Sequence, residues 1–573
     1  MDIGWTDVWG LGVSWTKYRD IVGFVQRLCL FLTHLVVFQS IKSNWQHIEL
    51  KICTRESRDF IEDYLLSDPS LRRTMGCGSS TANAKIVPNK DSVTQRKETG
   101  LEASHFQQAL VQQHNKENIN DVYDINWDDS KALGSGATST VRQCTNKLTK
   151  TVYALKTIEL YRLPPEVVAS LFEEVSIMRI LDHPNVIKVI ETFVDFKRLY
   201  IVMECCTGGE LFDKLYEQPG DKFSESDAKD LATKMLSALN YLHENKIIHR
   251  DLKLENFIFT KMGGDGEIKL IDFGLSRSYL EGEHMKKVAG TSYYMAPEVL
   301  KGDYSAMADM WSFGVVVFML LSGRCPFGGH SDNDIQQNVL RGRYVFKKPA
   351  WEGVSNEAKD FVTKLLVQKV DNRMTATEAL DHPWIVGQAG DNGLSHALSE
   401  EGEDHLVQHM REFKKYSDLK RAALLAISFS LGEDEIGEIR KGFQQVDTHH
   451  NGVIGHEEFM EVMHKHGVME DAECERIFQT IDQDHRGVIK YSEFLAACID
   501  EKQYLDDRRV VEAFNRMDTD HTGTITKDNL REILGDDCTE EAIDRMMAQA
   551  DFHNNGMIDL DEFRRIMKGE TAT

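Results

Sequence analysis

The sequence predicts an α+β catalytic region of two lobes followed by an all-α tail, and three observations carry that reading. From about Tyr123 the chain shows short β-branched runs such as Thr151–Ile158 and Leu199–Met203, the pattern of strands. Helical periodicity takes over from about Leu211 to Trp384, so a strand-rich lobe precedes a helix-rich one, with a cleft between them. Asp447, Asp482, Asp518 and Asp551 are each followed five residues later by glycine (Gly452, Gly487, Gly523, Gly556), at spacings of 35, 36 and 33, which marks one unit repeated four times. The 573 residues, 41% hydrophobic and 28% charged, allow two to four domains with real cores and exclude a chain disordered throughout. Ten scattered cysteines lack the spacing of a disulfide framework or a zinc site, which fits a reducing, cytoplasmic setting. A net charge of −25 disfavours a nucleic-acid partner. Most of that excess falls in 433–573, and an acidic, helical tail points to divalent cations.

The first 74 residues differ from the rest. Trp5, Trp9 and Trp15 precede an apolar stretch from Ile21 to Phe38 that Gln26, Arg27 and His34 interrupt; a membrane span needs about 20 largely apolar residues. Asp2, Asp7 and Asp20 flank the stretch and no small-residue cleavage site follows it, unlike a signal peptide. Residues 1–74 are read as an untranslated or unstructured leader. Met75-Gly76-Cys77-Gly78-Ser79-Ser80 fits the N-myristoylation pattern, with Gly76 exposed once Met75 is removed. Cys77 beside it is positioned for a second acyl chain, which stable anchoring needs. Translation from Met75 would make the protein a peripheral membrane one; inside a longer chain the motif is silent. Residues 75–122 are taken as this motif and a flexible linker, since 81–120 are rich in Lys, Gln, Asn and Glu.

The catalytic motifs begin with Leu133-Gly134-Ser135-Gly136-Ala137-Thr138-Ser139-Thr140-Val141. Its glycines let the backbone approach phosphates, and the flanking strands clamp a nucleotide. Lys156, in the run VYALK, is a strand lysine that calls for an anion. Glu174, on a helix opened by Pro164-Pro165, can supply one. His249-Arg250-Asp251-Leu252-Lys253-Leu254-Glu255-Asn256 follows: Asp251 would accept a substrate hydroxyl's proton and Asn256 would hold a metal ion. Asp272-Phe273-Gly274 places a second carboxylate for Mg²⁺, and Ala296-Pro297-Glu298 closes the segment.

In this order and spacing, the chain from Tyr123 to Ile385 resembles a eukaryotic protein kinase of the bilobal fold. The resemblance implies ATP and Mg²⁺ as cofactors, Lys156, Glu174, Asp251 and Lys253 as the catalytic set, and Asn256 and Asp272 as metal ligands. It places ATP against Leu133–Ser139, Val141, Lys156 and the hinge Glu204-Cys205-Cys206, with Met203 as gatekeeper. Arg373 would pair with Glu298. Lys253 and Gly290-Thr291 resemble serine/threonine kinases. Ser139 stands where the third loop glycine is usual and Thr138 where an aromatic is; both soften the lid over the phosphates without removing a catalytic charge. Glu210, in Gly208-Gly209-Glu210-Leu211-Phe212, matches the carboxylate that in basophilic kinases meets an Arg three residues before the acceptor, and Glu255 adds a second. Between Tyr279 and Val288 no hydroxyl occurs, but Glu281 and Glu283 do. A carboxylate there would serve Arg250 in place of a phosphate; a solvated acidic loop is the other reading.

Each tail repeat reads as a twelve-residue calcium loop with ligands at positions 1, 3, 5, 7, 9 and 12, and the four together resemble the two lobes of calmodulin. Every loop has a defect. The first offers Asp447, Asn451, the Val453 carbonyl and Glu458, with His449 at position 3; the second Asp482, Asp484, the Val488 carbonyl and Glu493, with Arg486 at position 5. The third offers Asp518, Asp520, Thr522 and the Thr524 carbonyl but ends in Asn529; the fourth Asp551, Asn555, the Met557 carbonyl, Asp559 and Glu562, with His553 at position 3. The expected ranking is fourth, first, second, third. Between kinase and tail, residues 386–432 carry a helix from His405 to Phe429 whose Arg411, Lys414, Lys415, Lys420 and Arg421 alternate with an apolar stripe, as calmodulin targets do.

Kinase (123–385), basic junction (386–432) and four EF-hands (433–573) together resemble the calcium-dependent protein kinases of plants and protists. The resemblance implies a kinase that moves the ATP γ-phosphate to protein Ser/Thr, held off by the junction until Ca²⁺ opens the tail to recapture it. Its partners would be substrates with basic residues before the acceptor. One alternative is a calcium-independent kinase with degenerate hands as scaffold, which calcium titration separates. The other is a calcium-responsive docking protein with a vestigial kinase, which an ATPase assay decides.

Overall fold

The computed structural model describes residues 111–572 except 115–117, 136–137, 196, 264–265, 281, 287–289, 388–398, 469, 500–505 and 536–537. The leader, the motif at Gly76 and Cys77, and Gly136, Ala137 and Glu281 therefore lie outside the described residues. The catalytic and regulatory elements lie in one compact unit, Leu101–Arg162 with Glu174–Thr573.

The strand-rich lobe is one sheet of β1 (Gln112–His114), β2 (Tyr123–Ile125), β3 (Gly134–Ser135), β4 (Ser139–Asn146), β5 (Val152–Glu159), β6 (Val189–Val194) and β7 (Arg198–Glu204). Their order is β1-β6-β7-β5-β4-β2, with β3 on β4. One face is closed by Tyr123, Cys144, Tyr153, Leu155, Phe193 and Val202. β5 is central, and its register sets Lys156 opposite Val141 on β4 and Ile201 on β7. The lysine thus sits mid-sheet, where its ammonium must find counter-charge.

β1 lies inside the segment expected to be a flexible linker, and the structure corrects that expectation from Gln112 onward. The strand pairs parallel with β6, which would otherwise be a bare edge. His114 stacks on Phe193 at 4.4 Å and meets Glu191 at 2.8 Å. A one-turn helix, Ile119–Val122, then buries Ile119. Three polar residues recruited by backbone pairing carry no apolar periodicity, so the sequence gives no sign of them.

Helix α1 (Pro165–Met178) turns Glu174, Val175, Ile177 and Met178 inward. The helical lobe is built on α2 (Glu225–Glu244), whose start is capped by Ser224, and α3 (Met307–Ser322). α3 is buried on every side, as its MWSFGVVVFMLL run requires. A hairpin of β8 (Phe257–Phe259) and β9 (Ile268–Leu270) pairs Phe257 with Leu270, so the catalytic loop before β8 and Asp272 after β9 emerge at the same open end.

The junction is two helices, α4 (Glu400–Phe413) and α5 (Asp418–Ser428), where one from His405 to Phe429 was expected. Ser417 breaks it: its hydroxyl accepts from Lys420 N at 3.3 Å and restarts the helix as an N-cap. The hands follow as α6 (Glu433–Val446) with α7 (His456–Lys465), α8 (Asp471–Ile481) with α9 (Tyr491–Cys498), α10 (Asp507–Met517) with α11 (Lys527–Leu534), and α12 (Glu540–Ala550) with α13 (Leu560–Met567). Loops couple in pairs, through β10 (Val453–Gly455) on β11 (Val488–Lys490) and through Ile525 on Ile558. All four share one backbone: φ of +51 to +54° at position 4 (His450, His485, His521, Asn554) and near +80° at the position-6 glycine. Helix α5 packs between α9 and α10, with Leu419 to Ser428 nearly all buried.

The junction and the tail also meet the strand-rich lobe. Ser492 N donates to Asp182 Oδ2 at 2.9 Å, Tyr153 OH to Ser430 O at 3.3 Å, and the Lys188 ammonium stands 3.8 Å above the Phe429 ring. A Cβ on Gly452 would fall 2.1 Å from the His183 ring. Among the described residues no helix is long and apolar enough to cross a membrane.

Candidate active site and calcium loops

Lys156 Nζ lies 3.6 Å from Glu174 Oε1 and 3.4 Å from Asp272 Oδ1. Burial works against the ammonium, but the two carboxylates outweigh it and its pKa stands above the ordinary lysine value. Asp272 is held below the ordinary aspartate value, because Lys156 and His249 outweigh its recession into the cleft. Glu174 is more deeply buried, and that burial pushes its carboxyl up against the pull of Lys156. The two directions pull the pair opposite ways; an ammonium facing two carboxylates favours the charged pair. A side chain on Gly274 would crowd both, since its Cβ would sit 3.3 Å from Asp272 Oδ1 and 3.7 Å from Glu174 Oε2.

Asp251 is fixed from two sides. Lys253 Nζ is 2.7 Å from Oδ2, and Thr291 Oγ1 donates to Oδ1 at 2.9 Å. Asn256 donates from its amide to the Asp251 carbonyl at 2.7 Å, leaving its own side-chain oxygen as the atom to offer a cation. The loop's backbone is held by Asp309 of α3, which accepts from His249 N at 2.8 Å and Arg250 N at 2.9 Å. Burial raises the Asp309 carboxyl, but the bonds and charge of His243 and His249 outweigh it and hold it low. That brace keeps Arg250 at φ +69°, costly for a residue with a Cβ.

Of the two acidic residues read as partners for Arg250, Glu281 lies outside the described residues and Glu283 does not meet it. The Arg250 guanidinium donates to the carbonyls of Leu275 and, at 3.5 Å, Ser276. Glu283 instead pairs with Arg277 at 2.7 Å and accepts from Leu280 N at 2.9 Å. Backbone carbonyls just after Gly274 thus engage the guanidinium. Arg373 meets Glu298 through both carboxylate oxygens, at 2.5 and 3.1 Å.

On the nucleotide side, Leu133, Gly134 and Ser135 precede or form β3, and Ser139 and Val141 lie on β4 after Thr138. Leu133 N donates to Val141 O at 2.8 Å, which closes this turn of the sheet. Met203 and Glu204 end β7, and Cys206 follows half-buried. The Glu204 carboxylate is taken by Lys188 N at 2.7 Å and Lys269 Nζ at 2.9 Å, so its backbone is what remains for a base. Glu210 is exposed and half-buried Glu255 accepts from Tyr294 OH at 3.4 Å. Partial burial, then Asp213 and Glu255, push the Glu210 carboxyl up, so the three form one acidic patch.

Calcium needs six to eight oxygen ligands, and the four loops differ in what they leave for it. In the first, Asp447 accepts from Asn451 N and Gly452 N at 3.0 and 2.9 Å, and Glu458 meets His449 Nδ1 at 2.7 Å. In the fourth, Asp551 accepts from Asn555 N and Gly556 N at 3.0 and 2.7 Å, and Glu562 meets His553 Nδ1 at 2.9 Å. His553, Asp559 and Glu562 bring ligand atoms within 4.8 Å of one another. These two loops fit a cation, with Val453 and Met557 at the carbonyl position. In the second, Asp484 is paired with both Lys490 and Arg486, and in the third the twelfth side chain, Asn529, donates to Thr519 Oγ1 at 3.0 Å. Asp482, Asp484 and Glu493 of the second loop still bring ligand atoms within 4.8 Å of one another, as in the fourth, but share them with two internal cations, and the third loop lacks a carboxylate at its twelfth position. Asp309 and Lys490 are residues to which the sequence reading gave no role, and Thr291 entered it only within Gly290-Thr291, not as a brace of Asp251. Lys490 at position 9 was open to a charge count of the loop, whereas the Asp309 and Thr291 contacts join distant segments.

Residues 127–385 match the protein kinase domain family, and residues 438–499 and 507–568 each match the EF-hand domain pair. The chain is 34% identical over 502 residues to calcium-dependent protein kinase 5 of Plasmodium falciparum, covering 87% of this chain and 86% of that one. It is 36% identical over 466 residues to calcium-dependent protein kinase SK5 of Glycine max (80% and 89% covered) and 35% identical over 475 residues to calcium-dependent protein kinase 11 of Oryza sativa (81% and 79%).

Proposed function

Because the chain belongs to the calcium-dependent protein kinase family, it is a calcium-regulated serine/threonine protein kinase, and we propose a residue-level account of its chemistry. The observation that carries it is Lys156 between Glu174 and Asp272, together with Asp251 braced by Lys253 and Thr291. ATP supplies the phosphoryl group, and Mg²⁺ held by Asn256 and Asp272 would screen its charge. Lys156 donates to the phosphate oxygens. Asp251 orients the acceptor hydroxyl and takes its proton, while Lys253 offsets charge on the group in transit. The acidic patch of Glu210, Asp213 and Glu255 supports a preference for Arg three residues before the acceptor; a peptide array should lose it in Glu210→Ala.

Transfer measured with calcium and with chelator tests the whole account. Activity should rise with calcium, and Lys156→Met or Asp251→Asn should abolish it with the fold kept. A protein that binds calcium but turns over no ATP would be a docking protein instead. Where the mature chain starts at Met75, Gly76 and Cys77 are the acylation sites and the enzyme is a peripheral membrane one. Mass spectrometry of the native N-terminus reads this directly.

A further inference from the structure

We propose that the second and third EF-hand loops are closed by the protein's own side chains in place of calcium, and that these inner hands form a standing clamp on the junction while the outer loops alone take the ion. This deepens the calcium-regulated reading and rests on it for the outer loops.

In the second loop the place of the cation is taken by an ammonium. Lys490, at position 9, pairs through Nζ with Asp484, and Arg486 Nε stands 3.3 Å from the same carboxylate. Both the lysine and Asp484 are largely enclosed, with side chains 13% and 12% exposed. The other two carboxylates are also engaged from within. Glu493 accepts from Gln483 N at 3.0 Å and Lys490 N at 2.9 Å, and Asp482 from Arg486 N at 3.0 Å and Gly487 N at 2.8 Å. Asp482, Asp484 and Glu493 do bring ligand oxygens within 4.8 Å of one another, but two internal cations against these three carboxylates leave little charge to draw a divalent ion, and any such ion would meet the ammonium at short range.

The third loop is closed without charge. Asn529 stands at position 12, where a bidentate carboxylate is needed. Its oxygen accepts from Thr526 N and Oγ1, both at 2.8 Å, and its NH₂ donates to Thr519 Oγ1 at 3.0 Å. The amide thereby ties the first turn of α11 to position 2 of the loop, a link that calcium would otherwise make.

The same two hands hold the junction and the kinase. α9 leaves the second loop and α10 enters the third, and α5 lies between them. Ser492, at position 11 of the second loop, donates its N–H to Asp182 and accepts at its carbonyl from Ser428 Oγ at 3.3 Å. Arg516, two residues before the third loop, meets Glu512 at 3.2 Å and the Ile190 carbonyl at 3.5 Å. Loops pinned by their own groups keep these contacts at any calcium level. Of the outer loops, the first reaches the kinase through Gly452 at His183, so the ion's arrival is felt there.

Calorimetric titration of CaCl₂ into the full chain, in excess Mg²⁺, should give two calcium ions per chain. The double variant Arg486→Asn, Lys490→Thr should give three, and so should Asn529→Glu. Three or four ions in the unaltered chain, or no gain in either variant, overturns the clamp; none at all overturns the calcium-regulated reading with it. Hydrogen exchange gives a readout that needs no variant. Amides at 491–493 should exchange within about twofold of one rate in calcium and in chelator, while those at 456–458 slow at least tenfold in calcium; 453–455 and 488–490 bond to one another and shift together. Equal slowing of both segments overturns the proposal.

Discussion

Asp309 touches no substrate, yet it decides where the catalytic loop lies. Its two oxygens hold consecutive amides, His249 N and Arg250 N, and so hold a backbone that Arg250 would otherwise leave. Hydrogen bonds to a buried charge contribute about 1.5–3 kcal/mol. Asp309→Asn should therefore lower the melting temperature by several degrees and cut kcat with little change in KM for peptide. The pH dependence has a definite sign. The native carboxyl is held below its ordinary value of 3.8, so its stabilisation is complete above that value and fades as pH falls through the lower one. The gap between the melting curves of parent and variant should stay constant from pH 8 to 5 and narrow only in strong acid. Lys156 runs the other way: its raised value means its ion pairs persist through neutral pH and fail only in strong alkali. Local motifs named Lys156, Asp251 and Asp272 because phosphoryl transfer demands those charges in that order. The role of Asp309 depends on a contact sixty residues away, which no local pattern records.

Ser417 and Gly452 show how single positions shape whole elements. A helix cap contributes about 1 kcal/mol, so Ser417→Ala should weaken the α4–α5 break and let the junction run straighter. The change is readable as added helical circular dichroism and lost activation by calcium. Periodicity alone predicted the straight helix, since both halves share one apolar face; the cap that interrupts it is a single serine. Gly452 has two reasons to be glycine, a φ of +80° and a neighbour that leaves no room for a Cβ. Gly452→Ala should loosen the tail from the kinase, seen as faster proteolysis between 428 and 433. Adding His183→Ala should restore part of that loss, because it removes the clash but not the backbone strain. The repeat made all four loops legible in advance, including their shared turn. The pairing of Lys490 with Asp484 was not legible, because Lys490 reaches it only once the loop has folded.

At the scale of the whole molecule, Arg516 joins parts that the sequence presents as separate. It is buried beside Glu512 and the Ile190 carbonyl, and with His114 it holds the buried Glu191 carboxyl low against the pull of burial. Removing one member of such a set leaves charges buried without compensation, at a cost of about 3–5 kcal/mol. Arg516→Ala should therefore destabilise kinase and tail together, in one unfolding transition displaced to lower denaturant, and not the third hand alone. The division into kinase, junction and hands was legible because each has its own period and motifs. How they rest on one another was not, because it depends on surface charges and backbone groups. β1 is the case with the widest consequence. Gln112 donates to the Arg516 carbonyl at 3.2 Å across 404 positions, and His114 stacks 6.1 Å from His521. Heredity should show that bond: as lineages diverge, residues 114 and 521 should change in company, although one precedes the kinase and the other lies in the third hand. A chimaera that swaps catalytic and calcium modules between species at a kinase boundary near 127 would inherit the two halves of this contact from different parents.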